Sequence, residues 1–181
     1  MYQEFRARTA TSRGRVVPIA ILVGSTWAVG GLMPLGGQYS DPMTFLDQMT
    51  SLTFSVMLAV FALVAWLVVG LARPSRWILA VAAIMGIGGI VAGIGNFAEE
   101  MLRIASAEYV YGLGLFPLLI GLIATAIVLV VRRELLPAIL VSLSLAGFIS
   151  ALGHGPNLVP VVWFGFAAWV LVRRPSVGGA A

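Results

Sequence analysis

Long apolar runs separated by short polar breaks account for most of the chain. The runs lie at about 16–35, 51–72, 77–96, 110–131, 135–153 and 157–172. None of them has an Asp, Glu or Arg in its interior. An α-helix needs roughly 20 apolar residues to cross about 30 Å of hydrocarbon, and the runs are close to that length. The pattern therefore predicts an all-α, polytopic membrane protein with a six-transmembrane-helix bundle.

The breaks between the runs have the composition of helix boundaries. Segments such as "RPSR", "RRE" and "GHGP" each contain a charge, a Pro or a Gly, as helix boundaries in a membrane should. No polar segment is long enough to fold as a second domain. We therefore expect a basic N-terminal segment at 1–15, a single membrane domain at 16–172 and a tail at 173–181.

The arginines are distributed very unevenly between the two ends of the predicted bundle. If the six runs alternate in direction, ten of the eleven arginines fall at one end, and only Arg103 falls at the other. Membrane proteins keep an excess of Arg and Lys on the cytoplasmic side. The chain is therefore predicted to have both termini in the cytoplasm (N-in/C-in), with its first run as an uncleaved signal-anchor.

The composition identifies lipid as the main partner. The chain is 60% hydrophobic and 10% charged, with a mean hydropathy of +1.03, whereas soluble domains are about 45–50% apolar and about 25% charged.

The absence of cysteine excludes disulfides and thiolate metal sites, and the absence of lysine excludes Schiff-base chemistry. Scattered arginines do not form a phosphate-binding patch, so we expect no nucleic-acid partner. No cofactor is expected. Arginine without lysine suggests a GC-rich prokaryote, and hence its inner (plasma) membrane.

The third run is rich in glycine. Gly89 and Gly93 form a G-x-x-x-G pair, and Gly86 adds a small residue on a similar face. Small residues allow helix backbones to approach closely in lipid. We therefore expect the third helix to be the central helix of the bundle, with Gly86, Gly89 and Gly93 as packing residues.

Polar residues at the predicted outer face form the candidate ligand site. Asn96, Glu99 and Glu100 end the third run, and His154 and Asn157 lie in the turn before the sixth. The stretch from Leu158 to Val172 has only 15 residues, about 22 Å of helix. Either the helix continues past the arginines, whose side chains reach back to the interface, or the "GHGPN" turn dips below the outer surface. In the second case His154 and Asn157 lie at membrane depth and build a small polar pocket that faces outward.

Three interpretations of this cluster compete. The first is a solvated rim in which Glu100 pairs with Arg103, since charges at the ends of spans need no further explanation. The second is a binding pocket, which could hold a divalent metal such as Zn²⁺ or Mn²⁺ between His154 and Glu100. The third is an intramembrane hydrolase.

The hydrolase interpretation comes from the "EEMLR" segment. The CAAX-type prenyl-protease and bacteriocin-immunity family carries a Glu-Glu pair followed by arginine, with histidines on other helices. Here Arg103 lies one residue too close to the pair, which rotates it by about 100° around a helix, and His154 is the only histidine. No family assignment and no catalytic residue follows from this comparison.

Two classes of function fit the sequence better than an enzyme does. The first is an accessory or structural membrane subunit, which suits spans without charges and a glycine-rich central helix. The alternative is a carrier or sensor whose outer pocket binds a small solute, a lipid headgroup or a metal ion. An ion-coupled pump is disfavoured because ionisable residues within the membrane usually mark ion or proton pathways, and no Asp, Glu, Arg or His lies near the middle of any predicted span.

Overall fold

The computed structural model describes residues 2–32, 44–73, 75–152 and 157–172. This part of the chain consists of helices and short connections, without strands, which confirms the predicted all-α fold class. It contains seven helical segments in the order α1 (Tyr2–Gly31), α2 (Phe45–Ala59), α3 (Phe61–Leu71), α4 (Arg76–Glu100), α5 (Ala107–Val131), α6 (Leu135–Leu152) and α7 (Val159–Val172).

These helices form an integral membrane protein. Four described stretches are long and apolar enough to cross a membrane, namely Gly14–Gly31, Phe45–Leu71, Arg76–Glu100 and Ala107–Val131. The helices α6 and α7 are also apolar but shorter, with 18 and 14 residues. They correspond to about 27 and 21 Å of helix.

Several helices begin or end beyond the predicted apolar runs. The helix α1 begins at Tyr2, so the basic segment before residue 16 continues the first span as helix. The helix α2 begins at Phe45 rather than near 51, because Thr44 forms a capping box with Asp47. Its hydroxyl accepts from Asp47 N at 3.2 Å, and Thr44 N donates to the Asp47 carboxylate at 2.9 Å. Hydropathy alone does not detect such caps.

The second span is interrupted once, at Val60, between α2 and α3. Val60 N donates to Val56 O at 2.9 Å, as in an α-helix. Leu63 N instead donates to Val60 O at 2.9 Å, which is the three-residue spacing of a 3₁₀ turn. No Pro or Gly lies in the segment 45–69, and the sequence pattern did not predict the break.

The helices α4 and α5 pack antiparallel with their backbones in close contact, the most extensive helix–helix contact among the described residues. Glycines from both helices make this approach possible, because a methyl group at any of them would overlap backbone atoms of the partner helix. The facing pairs are Gly95 and Tyr111, Ala92 and Gly114, Gly88 and Leu118, and Met85 and Gly121.

A second glycine face of α4 packs on α2 and α3. Gly86 lies against Ala62 and Ala65. A methyl group would come within 2.5 Å of Leu58 O at Gly89 and within 2.6 Å of Ser55 O at Gly93. The glycine Cα–H groups therefore point at carbonyl oxygens, a weak but recurrent helix–helix interaction.

An aromatic cluster fills the space between α1, α3 and α6. Trp27, Phe61 and Phe148 are each at most 1% exposed. Their ring centroids are 5.5 to 5.7 Å apart in edge-to-face arrangements, the geometry that aromatic quadrupoles favour. This cluster, together with the α4 contacts, closes the interior of the bundle.

Candidate functional site

Asn96, the first residue of the predicted pocket, is directed into the bundle. It is 8% exposed. Its Nδ2 donates to Ser55 Oγ at 2.9 Å and to Ser51 O at 3.4 Å. Ser55 Oγ in turn donates to Ser51 O at 2.9 Å. The carboxamide of Asn96 therefore joins α4 to α2, one helical turn beyond Gly93.

Glu99 and Glu100 lie on the last turn of α4 and are partly exposed. Glu99 lies close enough to the negative charges of Glu100 and Glu108 to be repelled by them, and Glu100 is attracted by the positive charge of Arg103. Because α4 has 25 residues, about 38 Å of helix, this turn extends past a hydrocarbon layer of about 30 Å. The two carboxylates thus occupy the end of a helix longer than the layer it crosses.

Asn157 is held by α1. Its Nδ2 donates to Trp27 O at 2.7 Å, and it lies against Gly31. Among the residues that the structure describes, neither its buried Oδ1 nor the buried indole Nε1 of Trp27 has a hydrogen-bond partner. Two unpaired polar atoms therefore belong to residues that are already joined by a hydrogen bond. Buried polar atoms without partners are rare and costly.

The described residues of the predicted pocket fall into two places rather than one. The helix α7 packs on α1 and α6, whereas α4 packs on α5, α2 and α3. Asn157 therefore lies beside α1, while Asn96 lies on the face of α4 that contacts α2. Glu99 and Glu100 follow Asn96 at the end of α4.

The predicted metal pair was His154 with Glu100. His154 lies outside the described residues. Among the residues that the structure describes, no three His, Cys, Asp or Glu side chains are grouped so as to hold a metal ion.

Sequence reasoning missed a polar contact at the opposite end of the bundle. Glu134, between α5 and α6, is 9% exposed. Its Oε1 accepts from Arg73 N at 3.1 Å and lies 3.6 Å from Arg73 Nε. This carboxylate links the α3–α4 and α5–α6 connections. The only signal in the sequence was an acid directly after the Arg132–Arg133 pair.

The helix before Glu134 ends in a Schellman motif. Glu134 N donates to Leu129 O at 2.8 Å and Arg133 N donates to Val130 O at 2.9 Å, while Arg133 has φ 59°. Glycine usually occupies this left-handed position. The chain thus has an arginine where the backbone favours glycine.

Comparison with known proteins adds no functional assignment to this geometry. The chain matches no protein-family model, no curated protein and no solved structure.

Proposed function

We propose that this protein is a non-enzymatic accessory or structural subunit of a membrane complex. The supporting observation is the immobilisation of α4 on two faces. Its glycines pack against α5 on one face and against α2 and α3 on the other, at backbone contact distance. Asn96 adds an interhelical hydrogen bond near its outer end. A helix held in this way suits a static scaffold better than a carrier whose helices must move during each transport cycle.

A surface for the partner is suggested by the outward face of α7. Gly165 and Ala168 are both exposed there, and a methyl group at Gly165 would meet nothing within 4 Å. The exposed face of α7 also carries large apolar residues such as Phe164, but the exposed face of α5 has no Gly or Ala and carries large residues throughout, such as Phe116 and Ile120. Helix interfaces in membranes are enriched in small residues, whereas lipid tails pack well on large ones. We therefore assign α7 to the partner and α5 to lipid.

The test is native mass spectrometry of the protein extracted in mild detergent from its own host membrane. The wild-type chain should carry one protein partner in fixed stoichiometry. Gly165→Leu should release that partner, whereas Gly70→Leu should retain it, because Gly70 is also exposed with nothing within 4 Å but lies on α3. A wild-type chain that carries no protein partner would refute the proposal.

A second candidate function is a sensor or carrier with an outward-facing polar pocket, favoured by Trp27 Nε1 and Asn157 Oδ1, which have no hydrogen-bond partner within the described part of the chain. These atoms offer one donor and one acceptor to a small polar ligand. The same spectra distinguish this candidate: a bound small molecule that disappears in Asn157→Ala and in Trp27→Phe would support it. Its absence from the wild-type spectrum would count against it.

We infer that the membrane is the inner membrane of a prokaryote, with both termini in the cytoplasm. The support for this orientation is the distribution of ten arginines at one end and one at the other.

A further inference from the structure

Four arginines lie at one end of the bundle, in or next to the two connections that Glu134 links. Arg73 lies in the α3–α4 connection and Arg76 is the first residue of α4, whereas Arg132 and Arg133 belong to the α5–α6 connection. We call these four residues the basic loop pair. All four are exposed, and Glu134 is the acid that the structure places among them.

The register of α4 and α5 brings the two connections together. Met85 of α4 faces Gly121 of α5, and the two helices are antiparallel. Nine residues earlier on α4, Arg76 therefore lies opposite Val130, which is nine residues later on α5 and next to the turn that carries Arg132. The guanidinium of Arg76 lies over the ring of Trp77, 5.5 Å from its centroid. Trp77 is 56% exposed, as expected for a tryptophan that anchors a helix at the lipid headgroups.

The backbone at Arg133 is a second, independent observation. With φ 59° it lies in the left-handed region, which is unfavourable for a residue other than glycine. An arginine here is less favourable for the backbone than a glycine would be. It adds a positive charge next to Arg132 and one residue before Glu134, which binds Arg73.

We propose that the basic loop pair binds the phosphate headgroup of an anionic membrane lipid. Guanidinium groups match phosphate oxygens in bidentate geometry, and basic pockets between transmembrane helices bind anionic headgroups. Exposed apolar residues next to the arginines, Val131 and Leu135 among them, are available to the acyl chains. Glu134 holds Arg73 in place and keeps the two connections together. This proposal is independent of the partner assigned to α7.

Arg133→Gly tests the proposal without endangering the fold, because glycine relieves the left-handed backbone. The midpoint of thermal unfolding is measured in neutral detergent, then with phosphatidylglycerol, with phosphatidylcholine and with inorganic phosphate. Wild-type protein should be stabilised by phosphatidylglycerol alone. Arg133→Gly should unfold at a higher temperature than wild type in neutral detergent. Its apparent affinity for phosphatidylglycerol should be about fivefold weaker, the loss expected for one arginine near a lipid surface.

Arg103→Gly is the matched control. Arg103 also has a left-handed backbone, with φ 56°, but it follows α4 at the opposite end of the bundle. This variant should also unfold at a higher temperature than wild type, yet keep the full response to phosphatidylglycerol. Equal lipid responses of the two variants would overturn the proposal. So would equal stabilisation of the wild type by phosphatidylcholine or by inorganic phosphate.

Discussion

At the scale of single residues, Asn96 is a buried polar side chain that connects two helices. Its carboxamide donates to Ser55 and to Ser51 O on α2. Hydrogen bonds between membrane helices contribute about 0.6 kcal/mol on average and up to about 1.7 kcal/mol. Because both partners are buried, we expect the bond from Asn96 to contribute more than this average.

Replacement of this side chain should therefore weaken the bundle. Asn96→Ala is expected to lower the free energy of unfolding in detergent by about 1 kcal/mol, measured by reversible denaturation in sodium dodecyl sulfate. Thr26→Ala is the control, because Thr26 Oγ1 donates only to Leu22 O of its own helix, at 2.9 Å. Equal stability of Asn96→Ala and wild type would mean that Asn96 does not join α4 to α2.

The residue scale also shows where sequence reasoning reached its limit. Asn96, Glu99 and Glu100 share one end of α4, as helical spacing requires. The spacing did not indicate that Asn96 faces α2 while Asn157 donates to Trp27 O on α1. These directions depend on how the helices are rotated against one another, which a single sequence does not encode locally.

At the scale of secondary-structure elements, the contact between α4 and α5 has a sharp steric requirement. A methyl group at Gly114 would overlap the backbone of Ala92, whereas Gly112, two residues earlier on the same helix, has nothing within 4 Å. The same substitution at these two positions therefore has opposite consequences.

Gly114→Ala should lower the free energy of unfolding by about 1–3 kcal/mol, the usual cost of overpacking. Gly112→Ala should leave it unchanged or raise it by up to about 1 kcal/mol, because alanine favours helix over glycine. Both variants can be compared by thermal unfolding in the same detergent. Indistinguishable melting temperatures would contradict the close approach of α4 and α5.

The elements themselves were largely predictable, because hydropathy and length identify membrane helices directly. The Gly86, Gly89 and Gly93 face was visible as a G-x-x-x-G pattern. The face formed by Gly88 and Gly95 could not be predicted in this way. Two glycines seven residues apart indicate a packing face only once the structure shows that Gly114 and Gly121 of α5 pack against the same face of α4. The break at Val60 likewise has no local signal in the sequence.

At the scale of the whole molecule, the proposed orientation predicts which loops face the cytoplasm. The chain has no cysteine, so single cysteines can be introduced into an otherwise unreactive background. In intact cells, Ser106→Cys should react with a membrane-impermeant maleimide, whereas Arg132→Cys should react only after the membrane is permeabilised. Both positions are exposed. The reverse labelling pattern would invert the orientation.

The most direct test of the proposed subunit function is photo-crosslinking in the native membrane. Phe164 on α7 and Phe116 on α5 are both exposed, and each can be replaced by the photoreactive residue benzoylphenylalanine with little change of shape. Irradiation should produce one discrete adduct with a different protein from position 164 and no protein adduct from position 116. If position 164 yields no protein adduct, or only an adduct of two copies of this chain, the protein is not the accessory subunit proposed.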